Sequence, residues 1–276
     1  MRGTGRAGGL VLAVAVGTAV LTGCDRGADA VTAERPLLVA AAADLRPAFT
    51  ELGASFEDAT GEEVVFTFGS SGQLAQQLLE GAPMDLFASA NAAYVDRVID
   101  GGVGDAATQR TYAFGRLVLW SRADASSRWE DLDALAADGG PTNLAIANPD
   151  HAPYGQAAAE ALRTAGILDQ VRSKLVYGEN VADTQRLAAT GNADAAIIAL
   201  SLAVAADEAG EGRWTLLDDR LHEPLQQVLV VTATDPDRAS LAGRFIDHVS
   251  SDAGRGVMRR FGFLGEGEDP PATWER

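Results

Sequence analysis

The chain has 276 residues, 47% of them hydrophobic, enough to bury a large core in one big domain or two smaller lobes. Its formal net charge of −17, with Lys174 the one lysine, weighs against a nucleic-acid partner, because phosphate backbones are gripped by clusters of Lys and Arg. An anion bound by such a chain is held by local dipoles and hydroxyls, not by a long-range positive field.

The first residues read as an export signal. Arg2 and Arg6 form a positive start, Leu10 to Leu21 is an apolar run too short to span a bilayer comfortably, and small residues lead to Cys24. Leu21-Thr22-Gly23-Cys24 resembles the bacterial lipobox, whose cysteine is lipidated and becomes the mature N-terminus. Cys24 is the single cysteine, so no disulfide forms within the chain, and an ordinary thiol is the alternative role. Residues 25–35 are then a polar tether.

From Leu37 onward, short apolar runs alternate with helical patterns, the sign of α/β layers. Leu37 to Ala42 reads as a buried strand entering Ala43-Asp44-Leu45-Arg46-Pro47, where Asp44 suits an N-cap and Pro47 the first turn of a helix to about Asp58. Glu63 to Phe68 is the next strand. It ends in Gly69-Ser70-Ser71-Gly72 and passes straight into an amphipathic helix, a layout that favours an anion because the first helical amides have no intrahelical acceptor. The plain alternative is a serine that only caps its helix. Pro83 to Ala90 is a third strand, with Asn91 starting a helix to about Ile99. Such consecutive strand-to-helix junctions line up at one edge of a parallel sheet, where open α/β folds bind ligands.

Tyr112 to Ser121 is a long apolar run, with Gly115 in it, able to cross from one lobe to another. Trp129 to Ala137 reads as helix, Asn143 to Ala147 as strand, Tyr154 to about Thr164 as helix, Lys174 to Tyr177 as strand, the segment after Gly178-Glu179-Asn180-Val181 as helix, and Ala195 to Leu200 as buried strand. Leu225 to Thr232 is a second long run that crosses back. Helices over Ser240 to Val249 and Ala253 to Phe261 follow, then a loose tail from Gly265.

The runs VAAAADL (Val39 to Leu45), FGSSGQLAQQLLEGAPMDLFASAN (Phe68 to Asn91), NPDHAPYGQAAAEAL (Asn148 to Leu162) and RRFGF (Arg259 to Phe263) together resemble the molybdate-binding proteins of bacterial ABC importers. The stretch from Gly81 to Ala90 is the most specific of them. The resemblance implies an α/β, two-lobed periplasmic-binding-protein fold of type II, each lobe a mainly parallel sheet flanked by helices, joined by two hinge crossovers. Its expected layout is a signal peptide over 1–23, a tether over 24–35, a first lobe of 36–114 with 224–264, a second lobe of 115–223, and a tail over 265–276. It implies a monomer that holds molybdate or tungstate between the lobes, needs no cofactor or bare metal cation, catalyses nothing, and serves a membrane permease and ATPase from the outer face of the cytoplasmic membrane, anchored through a lipid on Cys24.

Carried over position by position, the family's ligand residues fall on Ser71, on the backbone amides of Val181 and Tyr154, and on Asp44, where many members have serine. Ala43 and Ser70 flank these positions, and the family's tyrosine in the last strand of the second lobe aligns with Ala199. A molybdate dianion offers only acceptor oxygens, so an ionised Asp44 facing it would repel it. The expectation is therefore that the Asp44 amide faces the ligand while its carboxylate turns aside to cap the helix, or that the carboxylate accepts a proton from an ion such as hydrogen phosphate. Tyr154 is expected to supply the hydroxyl missing at Ala199; the structural alternatives are a packed helix-start aromatic and, for Val181, a core valine.

Other chemistry is thin. His151, His222 and His248 are dispersed, without the spacing of a zinc site, and read as surface or capping residues. A GxSxG elbow, a P-loop and a CxxC pair are absent from the sequence, and Asp85 and Asp96 read as structural or solvated. The same fold binding phosphate, sulfate or an organic acid, and an exported enzyme using carboxylates, remain as rival readings.

Overall fold

The computed structural model describes residues 35–125, 129–137 and 139–268. The export signal, Cys24, the tether to Glu34 and the tail beyond Glu268 lie outside them. Strands are β1 Leu37–Ala42, β2 Val64–Gly69, β3 Leu86–Ser89, β4 Arg110–Gly115, β5 Leu117–Arg122, β6 Leu144–Ala147, β7 Leu175–Gly178, β8 Ala195–Ala199, β9 Gly212–Leu216 and β10 Leu225–Val231. Helices are α1 Arg46–Thr60, α2 Ser71–Leu79, α3 Ala92–Asp100, α4 Asp133–Ala136, α5 Pro153–Thr164, α6 Leu168–Val171, α7 Val181–Ala189, α8 Leu200–Glu208, α9 Pro236–Val249 and α10 Asp252–Arg260. Among the described residues, no helix is long and apolar enough to cross a membrane.

The strands form two five-stranded sheets of matching plan, β2-β1-β3-β10-β4 and β7-β6-β8-β5-β9. In the first, β1 runs parallel to β2 and β3, and β10 lies antiparallel between β3 and β4. In the second, β6 runs parallel to β7 and β8, while β5 lies antiparallel to β8 and β9. The fold is thus α/β and two-lobed, with helices covering sheets whose strands are apolar on both faces, as parallel sheets require. β1, β3, β6 and β8 are buried almost throughout.

The long run from Tyr112 splits at Arg116, so β4 belongs to the first sheet and β5 to the second. On the way back, residues 217–224 make the crossing and β10 lies wholly in the first sheet, one segment earlier than the apolar run of Leu225 to Thr232 suggested. The two crossings are tied together: Arg116, nearly buried, meets Asp219 with Nε and Nη2 at 3.0 and 2.9 Å from Oδ2. The ladder between β10 and β4 slips by one between Gln227 and Val228, whose partners are Ala113 and Thr111, which leaves Tyr112 over as a bulge.

Several local expectations shift. The helix foreseen over Trp129 to Ala137 shortens to α4, and the apolar segment that follows β8 folds into α8, a helix buried nearly all round and therefore without a readable stripe. Leu264 pairs with Phe114, and Glu268 accepts from Arg259 and from the Gly265 amide.

The core of the first lobe is aromatic where α1 and α9 meet the sheet, with Phe245 edge-on to Phe56 at 5.3 Å and to Phe49 at 5.9 Å. At the sheet end far from the crossings, Asp85 is buried, accepts the Leu38 amide at 2.8 Å and pairs with Arg238 of α9. Removing one partner strands the other's charge in a poorly solvated place. Asp85→Ala is expected to lower unfolding free energy by about 3 kcal/mol in denaturant titration; a loss within error would show the pair to be dispensable.

Candidate functional site

The carboxyl ends of the parallel strands of both sheets face one another, and a small cavity lies between them. Its walls are Ala42, Ala43 and Asp44 after β1, Gly69, Ser70 and Ser71 after β2, Ala90 after β3, Ala152, Pro153 and Tyr154 after β6, and Asn180 and Val181 after β7. The space left between these walls is small, far short of what a sugar or peptide needs. Most of the wall is closed to solvent, with Gly69 and Asn180 half-buried: Ser71 is 0% exposed, Asp44 1%, Ser70 and Tyr154 2%, and Val181 3%.

The starts of α2, α5 and α7 and of the 3-10 turn Ala43–Leu45 contribute these residues. Each helix start presents amides that no carbonyl of its own helix can satisfy, and the dipoles converge with their positive ends inward. Pro153 suits the first turn of α5, where a missing N–H costs nothing. Asn180 caps α7 by accepting from the Ala182 and Asp183 amides at 3.0 Å each, which leaves Val181, ahead of both, without that acceptor. The wall contains no lysine or arginine: Arg46 lies over the Phe68 ring at 4.5 Å, and Arg116 is taken by Asp219.

The two adjacent serines differ. Ser71 Oγ accepts the Ala90 amide at 3.1 Å, so its own proton is left to donate. Ser70 Oγ instead donates to the His151 carbonyl at 2.5 Å and lies 2.9 Å from His151 Nδ1. Thus Ser70 occupies the N-cap position of α2 without capping it.

Asp44 departs from expectation. Its carboxylate caps neither the 3-10 turn nor α1. The turn comes first and α1 begins two residues later, so the side chain faces the crossings, where Gln227 Nε2 donates to Oδ2 at 2.9 Å. Its carbonyl accepts from Ser201 Oγ of α8 at 2.7 Å. Burial pushes its pKa up to about 7, against the opposing pull of Tyr154, nearby backbone amides and Gln227. The Tyr154 hydroxyl lies beside the carboxyl, yet neither it nor Asp44 Oδ1 has a well-aligned partner, and the hydroxyls of Tyr112 and the Oε1 of Gln227 are equally unmatched. Burial and then the Asp44 charge raise both tyrosines well above their usual pKa, so they stay phenols. Gly115 makes room for this cluster: a Cβ there would stand 2.0 Å from the Tyr154 hydroxyl oxygen.

Of the residues singled out by sequence, Ala43, Asp44, Ser70, Ser71, Tyr154 and Val181 share the cavity. Ala199 does not; it pairs with Leu117 in the second sheet and stands at the start of α8. Gln227, Tyr112 and His151 were missed. Their partners lie 183, 68 and 81 residues away, and only the HAPYG block hinted at His151. A roomier hollow lined by Arg122, Trp129, Thr142 and Asp194 sits at the opposite end of the second sheet, where Arg122 is paired with Asp124 and Asp194 accepts two amides. Among the described residues, no group of three His, Cys, Asp or Glu could hold a metal ion.

The sequence of residues 37–264 matches the family model for bacterial extracellular solute-binding proteins. The molybdate-binding protein ModA of Rhodobacter capsulatus is 32% identical over 95% of this chain and 97% of its own, and that of Azotobacter vinelandii 30% over 91% and 96%. Among solved structures, the Azotobacter vinelandii periplasmic molybdate-binding protein superposes with a TM-score of 0.76 at 28% identity, covering 83% of this chain and 98% of that one.

The raised Asp44 pKa has a stability consequence. The unfolded chain loses this proton near the ordinary 3.8, whereas the native state keeps it to about 7. Between those values the native state binds more protons, so the Asp44 contribution falls as pH rises. Asp44→Asn, which keeps an acceptor for Gln227, is expected to melt above wild type by a margin that widens from pH 5 to pH 8; parallel melting curves would contradict a buried, titrating carboxyl.

Proposed function

Because the chain belongs to the bacterial extracellular solute-binding proteins, in the branch of the molybdate-binding protein ModA, we propose that it captures molybdate, or the near-identical tungstate, and delivers it to an ABC importer. One observation carries the choice of ligand: helix starts from both lobes converge on a small, largely buried cavity with no cationic side chain. Such a site matches a small, doubly charged, fully deprotonated oxyanion, which needs donors only.

In this reading, the segments 36–114 with 224–264 and 115–223 are jaws that close by bending where Arg116 and Asp219 cross. Ser71 Oγ and the amides at Asp44, Tyr154 and Val181 hold the anion, with Ala43 beside them. The Tyr154 side chain serves the hinge cluster, and nothing at Ala199 replaces the family's tyrosine. Export by the N-terminal signal, a lipid on Cys24 and action as a monomer beside permease and ATPase complete the proposal; the relatives are named as binding proteins, which supports a carrier over an enzyme.

Calorimetric titration with molybdate, tungstate, sulfate and phosphate tests it. Molybdate and tungstate are expected to bind tightly and sulfate and phosphate weakly, whereas preference for phosphate would transfer the proposal to a protonated ligand using Asp44 as acceptor. Ser71→Ala removes one buried donor to a charge, worth about 1.5–3 kcal/mol, and is expected to weaken molybdate roughly 10- to 100-fold with the fold intact. An unchanged dissociation constant removes Ser71 from the site.

A dianion beside Asp44 raises the carboxyl's pKa further, so binding takes up a proton near neutrality. Affinity is therefore expected to fall as pH climbs from 7 to 9, with proton uptake seen as a buffer-dependent binding enthalpy. Asp44→Asn is expected to abolish both; a pH-independent wild type would mean that the carboxyl does not sense the ligand.

A further inference from the structure

The contacts across the cavity mouth are made by residues the anion does not need. Ser70, after β2, and His151, before α5, come from different lobes and lie 81 positions apart. The Ser70 hydroxyl has one proton, and it is directed at the His151 carbonyl at 2.5 Å. The 2.9 Å approach of Nδ1 to the same hydroxyl oxygen then makes the imidazole the donor, placing its proton on Nδ1. The second lone pair of the His151 carbonyl accepts the Gly72 amide, the second in α2, at 3.0 Å.

Flanking contacts run the same way. Gln73 Nε2 donates to Glu179 Oε2 at 3.0 Å, His151 Nε2 stands 3.9 Å from that oxygen, and Gln156 Nε2 donates to the Tyr94 hydroxyl at 3.2 Å. Nothing larger than hydrogen fits at Gly72: a Cβ would lie 2.6 Å from the His151 carbonyl oxygen and 2.9 Å from the Tyr94 ring. Apart from the approach of His151 to Glu179, which lies within the second lobe, these contacts require the lobes to be together, so they stabilise the closed form and not the open one.

We infer that Ser70 is one half of a latch whose other half is the peptide carbonyl and imidazole of His151, and that it governs how long a bound anion is retained rather than touching the anion. This rests on the proposed capture of an oxyanion. Ser70 has no proton to spare for a ligand that accepts only, whereas Ser71 has one. A latch formed after encounter slows opening and leaves association alone. Because the carbonyl takes both donors, the backbone at 151 matters more than its side chain.

The test follows release of radiolabelled molybdate from the full chain after a chase with unlabelled ion, alongside the association rate. Ser70→Ala is expected to release up to about tenfold faster, the scale of one hydrogen bond, with association changed less than twofold. Ser70→Thr, which keeps the hydroxyl, restores slow release; His151→Ala, which keeps the carbonyl, speeds release less than Ser70→Ala. Gly72→Ala is expected to release at least as fast and to keep its ligand-free radius of gyration in saturating molybdate. Unchanged release in Ser70→Ala, or association slowed as much as release is speeded, overturns the latch while leaving molybdate capture standing. A wild type that binds no molybdate overturns the proposed ligand instead, and hydrogen exchange at the Gly72 amide then decides: protection lost in Ser70→Ala supports the latch, and equal protection overturns it.

Discussion

A helix start sealed from water must find an acceptor for its leading amides, and here several such starts are sealed together. The positive ends of α2, α5 and α7 and of the turn after β1 meet in a small, largely buried space. An anion there gives a charged partner to the leading amides that no protein group accepts. The choice of fold follows from this need. Two sheets whose parallel strands end toward a common cleft bring helix starts from opposite sides, which a single sheet cannot do. It also reconciles a net charge of −17 with an anionic ligand, since the attraction acts over the first turn of each helix and not across the surface.

Behind the cavity, the crossings carry a second polar layer. Asp44 accepts from Gln227 on the returning strand, its carbonyl accepts from Ser201 of the other lobe, and Tyr154 and Tyr112 crowd its carboxyl. The lone tie between the crossings with full charge on both sides is Arg116 to Asp219 among these contacts, and it lies where the chain changes sheets. The mouth and the back of the cleft are thus built differently. Hydrogen bonds, of which Gln73 to the Glu179 carboxylate has one charged partner, span the mouth, while a charged pair and a buried carboxyl hold the back.

Much of this was legible in the sequence because it depends on local rules. Asn91 caps α3 as its residue type suggests, Pro47 sits in the first turn of α1, and the serine turn passes straight into α2. Convergence of Ser71, Tyr154 and Val181 on one cavity was reached through resemblance, since no spacing rule links residues so far apart. Local rules failed where distant partners competed. Asp44 has the chemistry of an N-cap, but a buried amide 183 residues away takes its carboxylate, and Ser70 is drawn off its own helix by a carbonyl of the other lobe. α8 was invisible for the opposite reason: a helix covered on nearly every face has no polar side to mark its period.

The leftover residue in β4 has one more implication. Side chains on a strand alternate between faces, and a bulge takes up one extra residue so that the pairs on either side of it keep their partners and faces. Tyr112 is that insertion, and Gly115 and the turn to the second sheet come after it. Removing Tyr112 would leave the pairs of β4 with β10 as they are, but would straighten the strand and take away the phenol that stands beside Asp44. The Tyr112 ring thus owes its place behind the cleft to an irregularity of the main chain.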